Sequence, residues 1–340
     1  MKSYGAGRPL LAGILVAAAL CTGAMAADVP INFSLDFQFE GPSAPFLLAL
    51  DKGYYRAEGL KVAIDQSTGS LETINRVASG AYDMGFADIN ALTKFRDDHP
   101  DGPKAVFMVY NRPAFSIVAR KSRGISRPSD LEGKTLGAPV LDGAYAQWPI
   151  FAQANSIDVS KVTIENVGFP VREPMLAAGQ IDAITGLSFS SFIDLKDKGV
   201  PIDDIVVLAM ADYGVKLYGS AIVVNPAFAA THPDAVKGFL RAFTKSLKET
   251  VRSPASAIDS VMKRNETAKK PVEFERLMMA LRDNIVTPEV IARGYGGIDR
   301  NRFAAAIDQI ALTYKFKSTP KPDDIFDSSF LPAVTDRKYN

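Results

Sequence analysis

INFSLDFQFEGPSAPFLLALDKGYYRAEGLKVAIDQSTGSLETINRVASGAYDMG, residues 31–85, is the stretch whose reading decides the fold. Apolar alternation over residues 31–37 predicts a strand, because a period of two puts every second side chain on one face of a sheet. The polar, aromatic turn Gln38-Phe39-Glu40-Gly41-Pro42 follows, then a helix over about 43–54. A second strand, 61–65, runs through Ser67-Thr68-Gly69-Ser70 into a second helix over about 71–78, and a third strand opens at 83–86. This β-α-β-α-β order predicts a parallel sheet with crossover helices. Ligands of such sheets sit beyond the carboxyl ends of the strands. Those ends carry Gln38 and Phe39, then Ser67 to Ser70, then Phe86 to Asp88.

Working outward, the β-α alternation continues to residue 224. Strands are expected at 104–110, 114–119, 135–138, 162–167, 183–186, 205–209 and 218–224. The intervening helices are expected at 89–96, 143–155, 170–178 and 190–196. Beyond Pro226 the pattern is helical, and Pro320, Pro322 and Pro332 mark an irregular tail after Lys317. The polar run RKSRGISRP, 120–128, reads as a linker. The chain is therefore expected to cross from a first lobe to a second near residue 121 and to return near 225. That gives a lobe of residues 27–121 plus 225–340, a lobe of residues 122–224, and a two-strand hinge whose closure traps a ligand.

Residues 1–26 stand apart. Lys2 and Arg8 precede a short apolar run and Ala24-Met25-Ala26 offers an A-x-A cleavage site, the pattern of a secretory signal peptide. Cys21, the single cysteine, lies inside it, so the processed chain would have no disulfide or thiolate chemistry. Without Lys2 and Arg8 the 39 basic residues fall to 37 against 38 acidic, a net −1 with no basic run, which argues against a nucleic-acid partner. Catalytic sets are poor. Both histidines, His99 and His232, precede proline and read as surface turns, and no zinc spacing, G-x-S-x-G or GxGxxG motif occurs. Neither enzymatic activity nor a cofactor or metal is expected.

Three runs carry a family resemblance: APFLLALDKGYYRAEGLKV at 44–62, GSLETINRVASGAYDMGFAD at 69–88 and DLEGKTLGA at 130–138. They resemble the periplasmic solute-binding proteins of nitrate/sulfonate/taurine-type ABC importers, and within them the branch that binds thiamine pyrimidine precursors. The resemblance implies an α/β, type II periplasmic-binding-protein fold: two doubly wound lobes joined by a two-strand hinge. It also implies a monomer in the periplasm, a small-molecule ligand and an inner-membrane ABC permease as partner. Members of the pyrimidine branch often carry Trp and His near the first strand, where this chain has Phe37 and Ser43. An enzyme similar in outline, the fungal thiamine-pyrimidine synthase, uses a histidine and a cysteine-rich motif that the processed chain lacks. A sensor passing its ligand to a membrane receptor is a third reading.

Candidate ligand contacts each have an ordinary alternative. Gln38 could bond a polar edge and Phe39 stack on a ring, or both could belong to a plain loop. Ser67, Gly69 and Ser70 open a helix whose free N–H groups could hold an anion or carbonyl, or merely be capped. Gly143 and Tyr145 form the matching helix start across the cleft, where Ala144 replaces the hydroxyl of oxyanion binders. Phe86, Tyr110 and Trp148 are cleft wall or core; Asp88 is an amine acceptor or a helix cap. Arg172 is a carboxylate clamp or half of a solvated pair with Glu173. Tyr213, in a loop Asp212-Tyr213-Gly214-Val215, could close over a ring. The aromatic supply favours a flat, partly polar heterocycle, with sulfonate, nitrate or aromatic carboxylate as the alternative.

Overall fold

A computed structural model describes residues 1–5 and 27–339; the apolar run and cleavage site of the expected signal peptide lie outside the described residues. The strands are β1 Val29–Ser34, β2 Leu60–Asp65, β3 Met84–Asp88, β4 Lys104–Met108, β5 Phe115–Arg120, β6 Thr135–Ala138, β7 Thr163–Asn166, β8 Ala183–Leu187, β9 Ile205–Ala209 and β10 Ser220–Val224. They form two five-stranded sheets, ordered β2-β1-β3-β10-β4 and β7-β6-β8-β5-β9. In the first, β1 runs parallel to β2 and β3, and β10 antiparallel to β3 and β4. In the second, β6 runs parallel to β7 and β8, and β5 antiparallel to β8 and β9. Each lobe is thus a doubly wound sheet into which one strand, fed from the other lobe, is inserted backwards.

This exchange moves both expected boundaries. Strand β5 belongs to the second sheet and β10 to the first, so the chain crosses between residues 109 and 114 and again between 210 and 219, not at 121 and 225. The polar run after β5 is no linker. It forms a tight turn, Lys121–Arg123, on the second lobe, where Arg120 bonds Asp204 at 2.8 Å.

Lobe 1 is held by aromatic rings. Phe33 of β1 stacks on Phe239 at 5.0 Å, and Phe46 lies 4.4 Å from Phe243. Phe239 and Phe243, one helical turn apart, share the inner face of helix Pro233–Arg252, which docks on helix Ala44–Asp51. Pro233 and Asp234 open that helix and Arg252 closes it, as its dipole favours. Pro226–Thr231 and Pro288–Arg293 are among the short helices that the sequence pattern does not delimit. Each had a legible signal, an Asn225 or Thr287 cap before a proline, and both side chains accept amide bonds. The tail packs on lobe 1, with Asp327 N–H donating to the Ala105 carbonyl at 2.8 Å and Tyr295 N–H to that of Arg337 at 2.7 Å.

Candidate ligand-binding cleft

The lobes face each other across a cleft at the carboxyl ends of β1 and β2 and the matching end of β6. Its outer chamber holds about 460 Å³ of atom-free space, open at the rim, lined by Asp36, Phe37, Gly69, Ser70 and Ser220 from lobe 1 and by Phe115, Asp142, Gly143, Phe169, Arg172, Leu187 and Ser190 from lobe 2. A narrow inner chamber shares Asp36, Phe37 and Leu187 and adds Gln38, Glu40, Phe46, Phe86, Tyr110 and Phe189 among others. Phe37 and Phe169 meet between the lobes, ring centres 5.5 Å apart and planes tilted by 56°.

Glycine permits this approach. A side chain on Gly69 would meet the Leu141 carbonyl of the opposite lobe at 2.8 Å, and its φ of 142° also disfavours one. A Cβ on Gly143 would lie 3.9 Å from Cβ of Asp88 across the cleft. Further contacts tie the lobes together: Ser190 donates to Glu40 at 2.7 Å, Gln147 to Asp88 at 3.2 Å and Lys196 to Glu275 at 2.7 Å.

On the lobe 2 wall the charged groups pair with one another. Arg172 is buried, not a solvated clamp; it bonds Glu173 at 2.6 and 2.9 Å and Asp142 at 3.4 Å. Thr185 donates to Asp142 at 2.7 Å and Ser191 to Glu173 at 2.8 Å. Burial works against the Arg172 charge, but the carboxylates of Glu173 and Asp142 outweigh it and hold its pKa above the usual value.

Lobe 1 differs. Asp36 has a single side-chain donor, the Ser220 hydroxyl at 3.3 Å. Burial raises its pKa to about 7, against the pull of that bond. Burial likewise raises Glu40 to about 7, opposed by Arg276 3.5 Å away.

The sequence-expected residues divide accordingly. Gly69, Ser70, Gly143 and Arg172 line the outer chamber; Gln38, Phe86 and Tyr110 line the inner one. The other six do not line either chamber. Phe39 turns onto the lobe 1 core, so Phe37, two residues earlier, is the ring at the cleft. Ser67 bonds Glu72 at 3.1 Å and serves the turn. Asp88 caps helix Ile89–Asp98 through Asn90 and Ala91 N–H, and burial raises it to about 6. Trp148 is core, and Tyr145 and Tyr213 pack against the same core. Asp36, Asp142, Phe169 and Ser220 were not anticipated. Asp36 had a signal, a carboxylate at the end of the first strand; Phe169 had its place just after the strand residues 162–167. Among the described residues no group of three or more His, Cys, Asp or Glu is placed to hold a metal.

Two lobes, two exchanged strands and a cleft at the strand ends are the periplasmic-binding-protein fold, and solved structures agree. The alkanesulfonate-binding protein SsuA from Xanthomonas axonopodis matches with TM-score 0.66 and 15% identity over 90% of this chain and 99% of that one. The aliphatic sulphonate-binding SsuA from Escherichia coli matches with 0.67 and 13% over 92% of each. Identities this low show the fold alone. The NMT1/THI5-like family model matches residues 41–257, and the chain belongs to that family. Among curated relatives, the riboflavin-binding protein RibY of Chloroflexus aurantiacus is 26% identical over 64% of this chain and 61% of its own. The formylaminopyrimidine-binding protein of Halalkalibacterium halodurans is 26% identical over 69% and 71%. The 4-amino-5-hydroxymethyl-2-methylpyrimidine phosphate synthase of Schizosaccharomyces pombe is 25% identical over 73% and 70%.

Proposed function

We propose that this protein is the solute-binding component of an ABC importer, exported to the periplasm, and that it captures a flat nitrogen heterocycle in the cleft beside Phe37 and Phe169. The observation that carries the reading is the composition of the cleft: two aromatic rings in contact, Phe37 and Phe169, with half-buried Asp36 beside them. A carboxyl group with one donor can accept an N–H from an aminopyrimidine-like edge, or donate to a ring nitrogen when protonated. The names of RibY and of the formylaminopyrimidine-binding protein support the same ligand class. A sulfonate, nitrate or carboxylate fits less well, because Arg172 is already occupied by Glu173 and Asp142, and the remaining carboxylates repel an anion. The synthase reading is weakened by the histidines. His99 stacks on Phe95 and His232 on Phe228, and neither lines the cleft.

Thermal unfolding against aminopyrimidines, riboflavin, alkanesulfonates, nitrate and benzoate tests this. A ligand at 100 times its Kd stabilises by about 2.7 kcal/mol. Stabilisation by a heterocycle, weakened in Phe37→Ala, is expected. Stabilisation by sulfonate or nitrate alone would overturn the ligand class.

A further inference from the structure

The inner chamber holds carboxylates without matching cations. Asp36 and Glu40 both border it. Asp88 adds to the field at Asp36, and Asp194 and Glu273 to that at Glu40. On this side Arg276 is shared among Glu40 at 3.5 Å, Glu273 at 3.2 Å and Asp194 at 2.9 Å. Lys94 acts on Asp88. Asp36 has no cation partner among the described residues.

A second observation stands apart from the charges. Tyr110 is only 4% exposed and borders the same chamber, yet its hydroxyl has no hydrogen-bond partner among the described residues. Its ring meets Phe86 edge-on at 5.1 Å and Phe189 at 6.0 Å, and Phe46 lies 5.2 Å from Phe86. Aromatic rings bordering a small space flanked by carboxylates suit a cation, which both attract.

We propose that the inner chamber receives a positively charged nitrogen, an ammonium or amidinium substituent of the bound solute, seated between Asp36 and Glu40 and against the rings of Phe86 and Tyr110. This rests on the solute-binding reading above and narrows its ligand class. The raised pKa values of the two carboxyls, about 7 each, add a consequence. An arriving cation favours the ionised forms, so binding releases protons. Affinity then rises about tenfold per carboxyl between pH 6 and 8, as the ionised fraction grows.

Titration calorimetry on the purified protein tests it with matched probes: a 4-aminopyrimidine bearing an aminomethyl group, the same ring bearing hydroxymethyl, benzylammonium and benzyl alcohol. Runs at pH 6 and 8, in buffers of different ionisation heat, count the protons. The aminomethyl compound is expected to bind at least tenfold tighter than its hydroxymethyl counterpart at pH 8, with little proton release there and more at pH 6. Asp36→Asn and Glu40→Gln, near-isosteric changes whose folding is checked by thermal unfolding, should each shrink that preference. Equal or weaker binding of the aminomethyl compound overturns the cation chamber while leaving the heterocycle reading intact. Binding of benzylammonium but neither pyrimidine supports the chamber and overturns the heterocycle. No binding by any probe overturns both.

Discussion

The two walls of the cleft carry similar charged groups and arrange them oppositely. On the lobe 2 wall, Arg172, Asp142 and Glu173 satisfy one another, with Thr185 and Ser191 supplying the remaining donors. On the lobe 1 wall, Asp36 has one hydroxyl and Tyr110 has no partner among the described residues. A complete buried network positions rings and backbone; an incomplete one is where a ligand can add bonds. On the proposed function, scaffolding falls to lobe 2 and recognition to lobe 1, and mutations should separate the two.

The largest effect belongs to the scaffold. Arg172→Met strands two buried carboxylates, a change that costs about 3–5 kcal/mol when one partner of a buried pair is removed. Chemical denaturation should show that loss before any ligand is added. Replacing Arg172, Asp142 and Glu173 together with apolar residues should recover most of it. A stable, ligand-blind Arg172→Met would reverse the comparison and make this arginine the recognition group. Next comes closure itself. Gly69→Ala sets a methyl against the Leu141 carbonyl and strains a positive φ, which costs about 1–3 kcal/mol. Ligand affinity should fall roughly tenfold or more, and small-angle scattering should report a more open particle. A closed particle of undiminished affinity would mean that the loop yields.

Phe37→Ala comes third. Losing one ring of an aromatic pair removes about 0.5–1.5 kcal/mol, or about two- to tenfold in affinity, with little change in stability. Phe39→Ala should instead lower stability, because that ring packs on the lobe 1 core. If Phe39 proved the affinity-determining ring, the wall would be misassigned. Asp36 sharpens the comparison through pH. Its folded pKa of about 7 exceeds the ordinary 3.8, so between those values the folded form keeps a proton that the unfolded chain has released. That contribution is fully present only below 3.8 and is lost progressively as pH rises from there through about 7. Asp36→Asn should therefore raise Tm least near pH 4, more at pH 5 and most, by a few degrees, roughly, at pH 8. The reverse order would show that Asp36 is ionised and paired in the empty protein.

The strands were legible because each reading used neighbours in sequence. Residues 135–138 and 205–209 were read with the bounds that β6 and β9 have. What failed depended on distance. The lobe boundaries slipped because β5 and β10 join sheets whose other strands lie far off in sequence, and nothing local in Ala119 or Val224 says which sheet will take it. Arg172 looked like a surface pair because its second carboxylate, Asp142, comes from another loop thirty residues away. Trp148 reads equally as cleft wall or core because its helix starts at the rim; the side chain enters the core. Strand ends and glycines announced the cleft; which ring of Phe37 and Phe39 faces it depends on the turn that follows β1, and alternation alone did not decide that.

The smallest effect tests whether the walls meet only through the cleft. Outside it, Lys196 bonds Glu275 at 2.7 Å and Lys269 bonds Asp197 at 2.8 Å, joining helix Ser188–Asp197 of lobe 2 to helix Lys270–Ala280 of lobe 1 and the residue before it. All four side chains are at least a third exposed, so each pair contributes only about 0.2–1 kcal/mol. These bonds exist only while the lobes touch, so they act on the open–closed equilibrium and not on the folding of either lobe. Lys196→Ala should therefore reduce ligand affinity by less than about fivefold, leave Tm of the empty protein nearly unchanged, and lose its effect in 0.5 M salt, on the order of a 4 Å screening length. A tenfold loss that persists in high salt would show that this contact clamps the lobes independently of the ligand. The division between a scaffolding wall and a recognising wall would then need a third, closing element.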